Sequence, residues 1–188
     1  LADGAGLANS SNVVINNTAT LRSGSATVGA LNNAGSVAVS AGSVLSVNGD
    51  FTNTGTLRTS VASASSSGKV NVSGSANLGG DLVVDVIGSP SLANNAVLTD
   101  VVRAGTLNGN FASVTDNSAL FNFVPAYGRN GMDLTIQTAS KTGVEEAVSS
   151  VGNQTALGAA RAFDQIIEGA DTVNVSGTPQ MSDVITRL

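Results

Sequence analysis

Leu31-Asn32-Asn33-Ala34-Gly35-Ser36-Val37 returns twenty positions later as Phe51-Thr52-Asn53-Thr54-Gly55-Thr56-Leu57. Apolar residues, Asn, Gly and hydroxyl residues recur at matching places. A period of this length is the mark of a stacked repeat, in which one coil is one supersecondary unit and buries its apolar side chains only against its neighbours. Between small polar residues stand short apolar runs such as Val13-Val14-Ile15, Val37-Ala38-Val39, Val44-Leu45-Ser46-Val47, Val70-Asn71-Val72 and Leu82-Val83-Val84-Asp85-Val86. Each reads as a strand of three to five residues bounded by Gly, Asn or Ser turns. Coils of about 20 residues with strands this short predict an all-β fold, a right-handed parallel β-helix, rather than a sandwich with longer strands and regular hairpins. At ~4.8 Å per coil, the first 140 residues would form roughly seven coils and a rod ~30–35 Å long.

The repeat also assigns roles. Asn and Gly tolerate the left-handed conformation, so Asn33/Gly35 and Asn53/Gly55 are expected to turn the chain at the same corner of successive coils. Stacked Asn side chains there would form an amide ladder.

Composition narrows the chemistry. The 188 residues include no Cys, His or Trp. That excludes Ser-His-Asp and Cys-His nucleophile systems, imidazole bases, and thiolate or imidazole metal sites. Ser, Asn, Thr and Gly dominate, charged residues are 11%, and 41% is hydrophobic, so the chain has enough apolar surface to fold. The net charge is -5 and the basic residues are scattered, which argues against nucleic acid as a partner. No apolar run approaches the ~18 residues of a spanning helix. Beginning without Met or a signal peptide, the sequence reads as a fragment. A cysteine-free exported chain would also be free of disulfides that block passage through a narrow pore.

From 76 to 138 bulkier residues gather, and four of the six aromatics lie between Phe111 and Tyr127. Concentrated at one end of a thin stack, they predict a cap over the last coil's core and unpaired edge. Its expected core is Leu82, Val84, Phe111, Val114, Phe121, Phe123, Tyr127, Leu134 and Ile136. Beyond 140 the period becomes helical. Thr142-Gly143-Val144-Glu145 fits a capping box. Asn153 is placed to cap a helix carrying Leu157, Ala160, Phe163 and Ile166/Ile167 on one face, with Gly169 as its stop. Thr178-Pro179 would start another, with Met181, Val184, Ile185 and Leu188 at helical spacing.

In order, the short coils, then Gly-Ser-Ala-Asn-Leu-Gly-Gly-Asp-Leu-Val-Val-Asp-Val (74–86), Gly-Asn-Phe-Ala-Ser-Val (109–114), Met-Asp-Leu-Thr-Ile (132–136) and Gly-Asn-Gln-Thr-Ala-Leu-Gly-Ala-Ala-Arg-Ala-Phe-Asp (152–164) resemble the C-terminal passenger region of a type V autotransporter. The resemblance covers essentially the whole chain. It implies a passenger stem over 1–70, a capping or autochaperone region over 71–139, and a helical linker over 140–188 leading to an outer-membrane β-barrel. Asn153, Phe163 and Ile167 are the expected linker-helix residues. The function implied is non-catalytic, nucleating β-helix folding during secretion, without cofactor. The partners implied are the chain's own barrel and the outer-membrane assembly machinery, with the periplasm as transit compartment and, as destination, the cell surface and outer membrane of a Gram-negative bacterium or release after cleavage.

Two rival readings stand beside it. The coils are an adhesin surface for host glycans or like passengers, or they form a polysaccharide lyase around Asp81, Asp85, Asp100 and Arg103. Such lyases gather acids in one groove on consecutive coils, whereas these are dispersed, so solvated strand-face charges are the simpler reading. Gly79-Gly80-Asp81 lacks the further Gly and Asp of a calcium-binding nonapeptide. The Phe111–Tyr127 aromatics would stack on carbohydrate only if they were not needed for the cap.

Overall fold

A computed structural model describes residues 1–8, 11–88, 90, 92–118, 120–138, 154–162 and 164. The chain divides into two compact units, Leu1–Ala139 and Ser140–Leu188. The first is all-β, with sheets rich in parallel pairs. Its strands are β1 (Asn12–Ile15), β2 (Thr20–Ser23), β3 (Ala26–Val28), β4 (Ala30–Asn33), β5 (Ser36–Val39), β6 (Val44–Val47), β7 (Phe51–Asn53), β8 (Thr56–Ser63) and β9 (Ser66–Ser67). They continue with β10 (Lys69–Leu78), β11 (Asp81–Val86), β12 (Val97–Gly109), β13 (Ser113–Asp116), β14 (Phe121–Tyr127) and β15 (Gly131–Thr138).

The sequence repeat is the pairing register. Leu31 lies opposite Phe51 and Asn33 opposite Asn53 in β4 and β7, while Val37 lies opposite Leu57 in β5 and β8. One sheet runs β1-β4-β7-β10-β12-β15-β14, with β3 and β6 joined to it through β10, and the other runs β13-β11-β8-β5-β2. The first five strands of the former and all five of the latter are parallel neighbours, giving five levels. This differs from the seven expected from a constant period. The separation between stacked residues is 20 for Asn33 and Asn53, 25 for Asp50 and Ser75, and 32 for Asp81 and Ser113. The extra residues go into the β8–β9 hairpin and the connection between β11 and β12.

Alternation sets the core. β8 buries Leu57, Thr59 and Val61 and turns Thr56, Arg58 and Ser60 outward. Inward side chains of both sheets form one apolar cluster, so the two sheets pack face to face. Large and small residues complement one another along the stack: fully buried Phe51 sits between Leu31 and Ala76 in register. The long strand β10 spans two shorter ones, pairing its start with β6 and its end with β7.

Parallel pairing then ends. β15 runs antiparallel to β12 and to β14, with a tight turn closed by Gly128 N–H donating to Gly131 O at 2.8 Å. Pro125 lies in β14, at the sheet's edge, where a missing N–H costs least. In β12 the register shifts between Leu98 and Val102. Asp100 in that bulge has φ 53°, and its N–H donates to Asp133 Oδ1 at 2.7 Å. The shift lies inside one continuous strand, Val97–Gly109.

In the second unit, Gln154–Ala156 form a 3₁₀ turn and 157–162 are α-helical. Asn153, Phe163 and Ile167 lie outside the described residues, as do the helices expected from 143 and 179.

Candidate functional site

Two groups of predicted residues come together, the corner column and the aromatic end of the first unit. At the corner, Asn33 Nδ2 donates to Asn53 Oδ1 at 2.7 Å, with both residues buried. Asn53 Nδ2 donates onward to Gly79 O at 2.7 Å. Asn33 Oδ1 is buried without a partner, because its register neighbour in β1 is Ile15, which has no amide to offer.

The glycines have a different role from the one expected. Neither Gly35 nor Gly55 is in the left-handed region, and Asn33 and Asn53 are the last residues of their strands. What demands glycine is close stacking. A Cβ on Gly35 would collide with the carbonyl oxygens of Asn16 and Ala19, and one on Gly55 with those of Gly35 and Ala34. Gly80 continues the column: its Cβ would meet Gly55 O, and here φ is also positive, at 61°. Backbone bonds run along this column, from Thr56 N–H to Gly35 O at 2.8 Å and from Asp81 N–H to Gly55 O at 2.9 Å.

At the other end, Leu82, Val84, Leu134 and Ile136 are fully buried, and Phe111 and Phe123 nearly so. Val114, Phe121 and Tyr127 are half-buried against the same cluster. Phe123 lies opposite Ile136 and Val114 opposite Leu82. The loop carrying Phe111 is fastened to β14 by its own N–H, which donates to Tyr127 Oη at 3.0 Å. Burial pushes the Tyr127 phenol above its ordinary value of 10.0, and the hydrogen bond from Phe111 pulls it part of the way back.

The carboxylates are separately engaged. Asp81 accepts from Ser113 Oγ at 2.7 Å, Asp85 pairs with Arg58, and Asp100 pairs with Arg103 at 3.2 Å. Among the described residues no group of three or more acids could hold a metal ion, and no helix is long and apolar enough to cross a membrane. Sequence reasoning missed the exposed Asn ladders, Asn32 to Asn12 and Asn108 to Asn77, both 3.0 Å. The first pair is 20 residues apart and was open to the repeat argument; the second is 31 apart and was not. Also missed was the Arg58–Asp85 pair, which no local spacing signals.

Compared with protein-family models the chain matches none, and compared with curated proteins it matches none.

Proposed function

We propose that this chain is a non-catalytic module of an autotransporter passenger, a right-handed parallel β-helix stem whose 71–139 region nucleates folding as the passenger reaches the outside of the outer membrane. The observation that carries the reading is how the parallel levels end: β12 is followed by the antiparallel β15 and β14, with Phe111, Phe123, Leu134 and Ile136 packed beneath. A hairpin is a local structure that closes without waiting for distant chain. Once formed, it offers β12 as an edge on which β10 pairs, and each later strand needs only the one before it as template. If the passenger leaves a barrel pore C-terminus first, this order of folding opposes back-sliding and gives export a direction without nucleotide hydrolysis. The residues beyond 140 are the linker into that barrel. The barrel and the outer-membrane assembly machinery are the partners, and the cell surface the destination.

Dilution of the unfolded chain from urea tests the order of events. Phe123→Ser and Phe111→Ser should slow refolding several-fold, whereas Ile15→Ala in β1 should act mainly by speeding unfolding. In the natural precursor the same Phe variants should accumulate in the periplasm. Unchanged refolding and normal secretion of both Phe variants would sink the reading.

A further inference from the structure

On the outer face of the β13-β11-β8-β5-β2 sheet lies an open groove of about 380 Å³. That is within the ~300–1,000 Å³ range of small-molecule sites. Arg22, Ala38 and Arg58 occupy one row across three adjacent strands, so the two arginines stand ~9–10 Å apart at their Cα atoms with a methyl group between them. Ala38 makes the floor, and Ser40 and Ser60 line it with hydroxyls.

Arg58 is held in place by Asp85. Its Nε donates to Oδ2 at 3.0 Å and its Nη2 to Oδ1 at 2.6 Å. This two-point pair fixes the guanidinium plane and leaves three of the five N–H donors unused. Arg22 is exposed and makes no ion pair among the described residues. The groove therefore has one guanidinium without a counter-charge, one ordered guanidinium with spare donors, and a carboxylate with spare acceptor capacity.

We propose that this groove binds an acidic sugar, with Arg22 pairing with the sugar carboxylate while Ser40, Ser60 and the Arg58–Asp85 pair bind ring hydroxyls. The ligand class follows from the lining. Asp85 repels a multiply charged phosphate, yet it accepts hydrogen bonds from hydroxyls. The floor offers a peptide no recess for an apolar side chain. A single negative charge on a hydroxyl-rich body satisfies every group present. The inference rests on the groove alone and stands apart from the secretion reading, since none of these residues belongs to the aromatic end.

Titration of the isotope-labelled chain with methyl galacturonide, which carries one carboxylate, its methyl ester and sodium acetate, followed by amide chemical shifts, tests this. The acid sugar should give saturable shifts in β2, β5 and β8. The ester, which keeps the hydroxyls but loses the charge, should bind at least tenfold more weakly, as should acetate. Arg22→Gln should weaken binding of the acid sugar at least tenfold with the spectrum's dispersion unchanged. Ala38→Leu, which raises the floor, carries the same expectation should Arg22→Gln perturb the fold. No saturable shift, equal binding of the ester or of acetate, or full affinity in folded Arg22→Gln or Ala38→Leu protein would each overturn the proposal.

Discussion

At Gly35, Gly55 and Gly80 the absent side chain matters because the preceding level's backbone already fills its place. Gly55→Ala should therefore cost at least about 2 kcal/mol, since the atoms in its way are backbone and cannot swing aside. Gly158 is the control: it is helical and exposed, with nothing near its missing Cβ. There Ala should stabilise by about 0.5–1 kcal/mol through helix propensity. Urea midpoints of the two variants against the parent measure both. Tyr127 gives a second test, because it is the chain's one tyrosine and its ultraviolet titration reports a single group. Its folded value is raised, so the stability from keeping the phenol neutral is complete below about 10 and is lost as pH rises through the folded value. The titration midpoint should lie above 10.0 in the native protein and fall back in urea, and Tyr127→Phe should flatten the alkaline loss of stability. The stacking of Asn33 on Asn53 was legible because the repeat is visible in the sequence. The reason for the glycines was not, because close approach between levels leaves no local mark that differs from a turn.

Strand identity was legible where apolar and polar or small residues alternate, as in β5 and β11. The direction of β15 was not, although Gly128-Arg129-Asn130-Gly131 is a turn signal between two strand-like runs. The repeat had already suggested parallel stacking, and pairing direction is decided by which edge is free rather than by the strand's own residues. The irregularity of β12 was hidden for a related reason. Adjacent Val101 and Val102 are both buried, which breaks the alternation where the register shifts. Within the stack, Phe51 supplies the largest fully buried side chain, with small Ala76 leaving room for it on the next level. Phe51→Ala should then cost about 3–5 kcal/mol, because strands above and below are fixed by their own ladders and cannot collapse into the cavity. Denaturant unfolding measures that loss.

For the first unit as a whole, an all-β fold rich in parallel pairs was readable from one repeated segment, but the number of parallel neighbours in each sheet was not. Loops such as the β8–β9 hairpin and the β11–β12 connection carry no periodic signal, so a ruler set at residues 31–57 miscounts further along. The groove between Arg22 and Arg58 was equally invisible, since it depends on residues brought into one row from β2, β5 and β8. The uneven level size has a mechanical consequence. When the chain is pulled from its N-terminal side by optical tweezers, levels that peel one at a time release unequal lengths of thread. Separations of 20, 25 and 32 residues correspond to steps of about 70, 90 and 110 Å of extended chain. The force trace should thus read as a ladder whose rungs widen toward the C-terminal end, so that the size of each step tells which level has just come away.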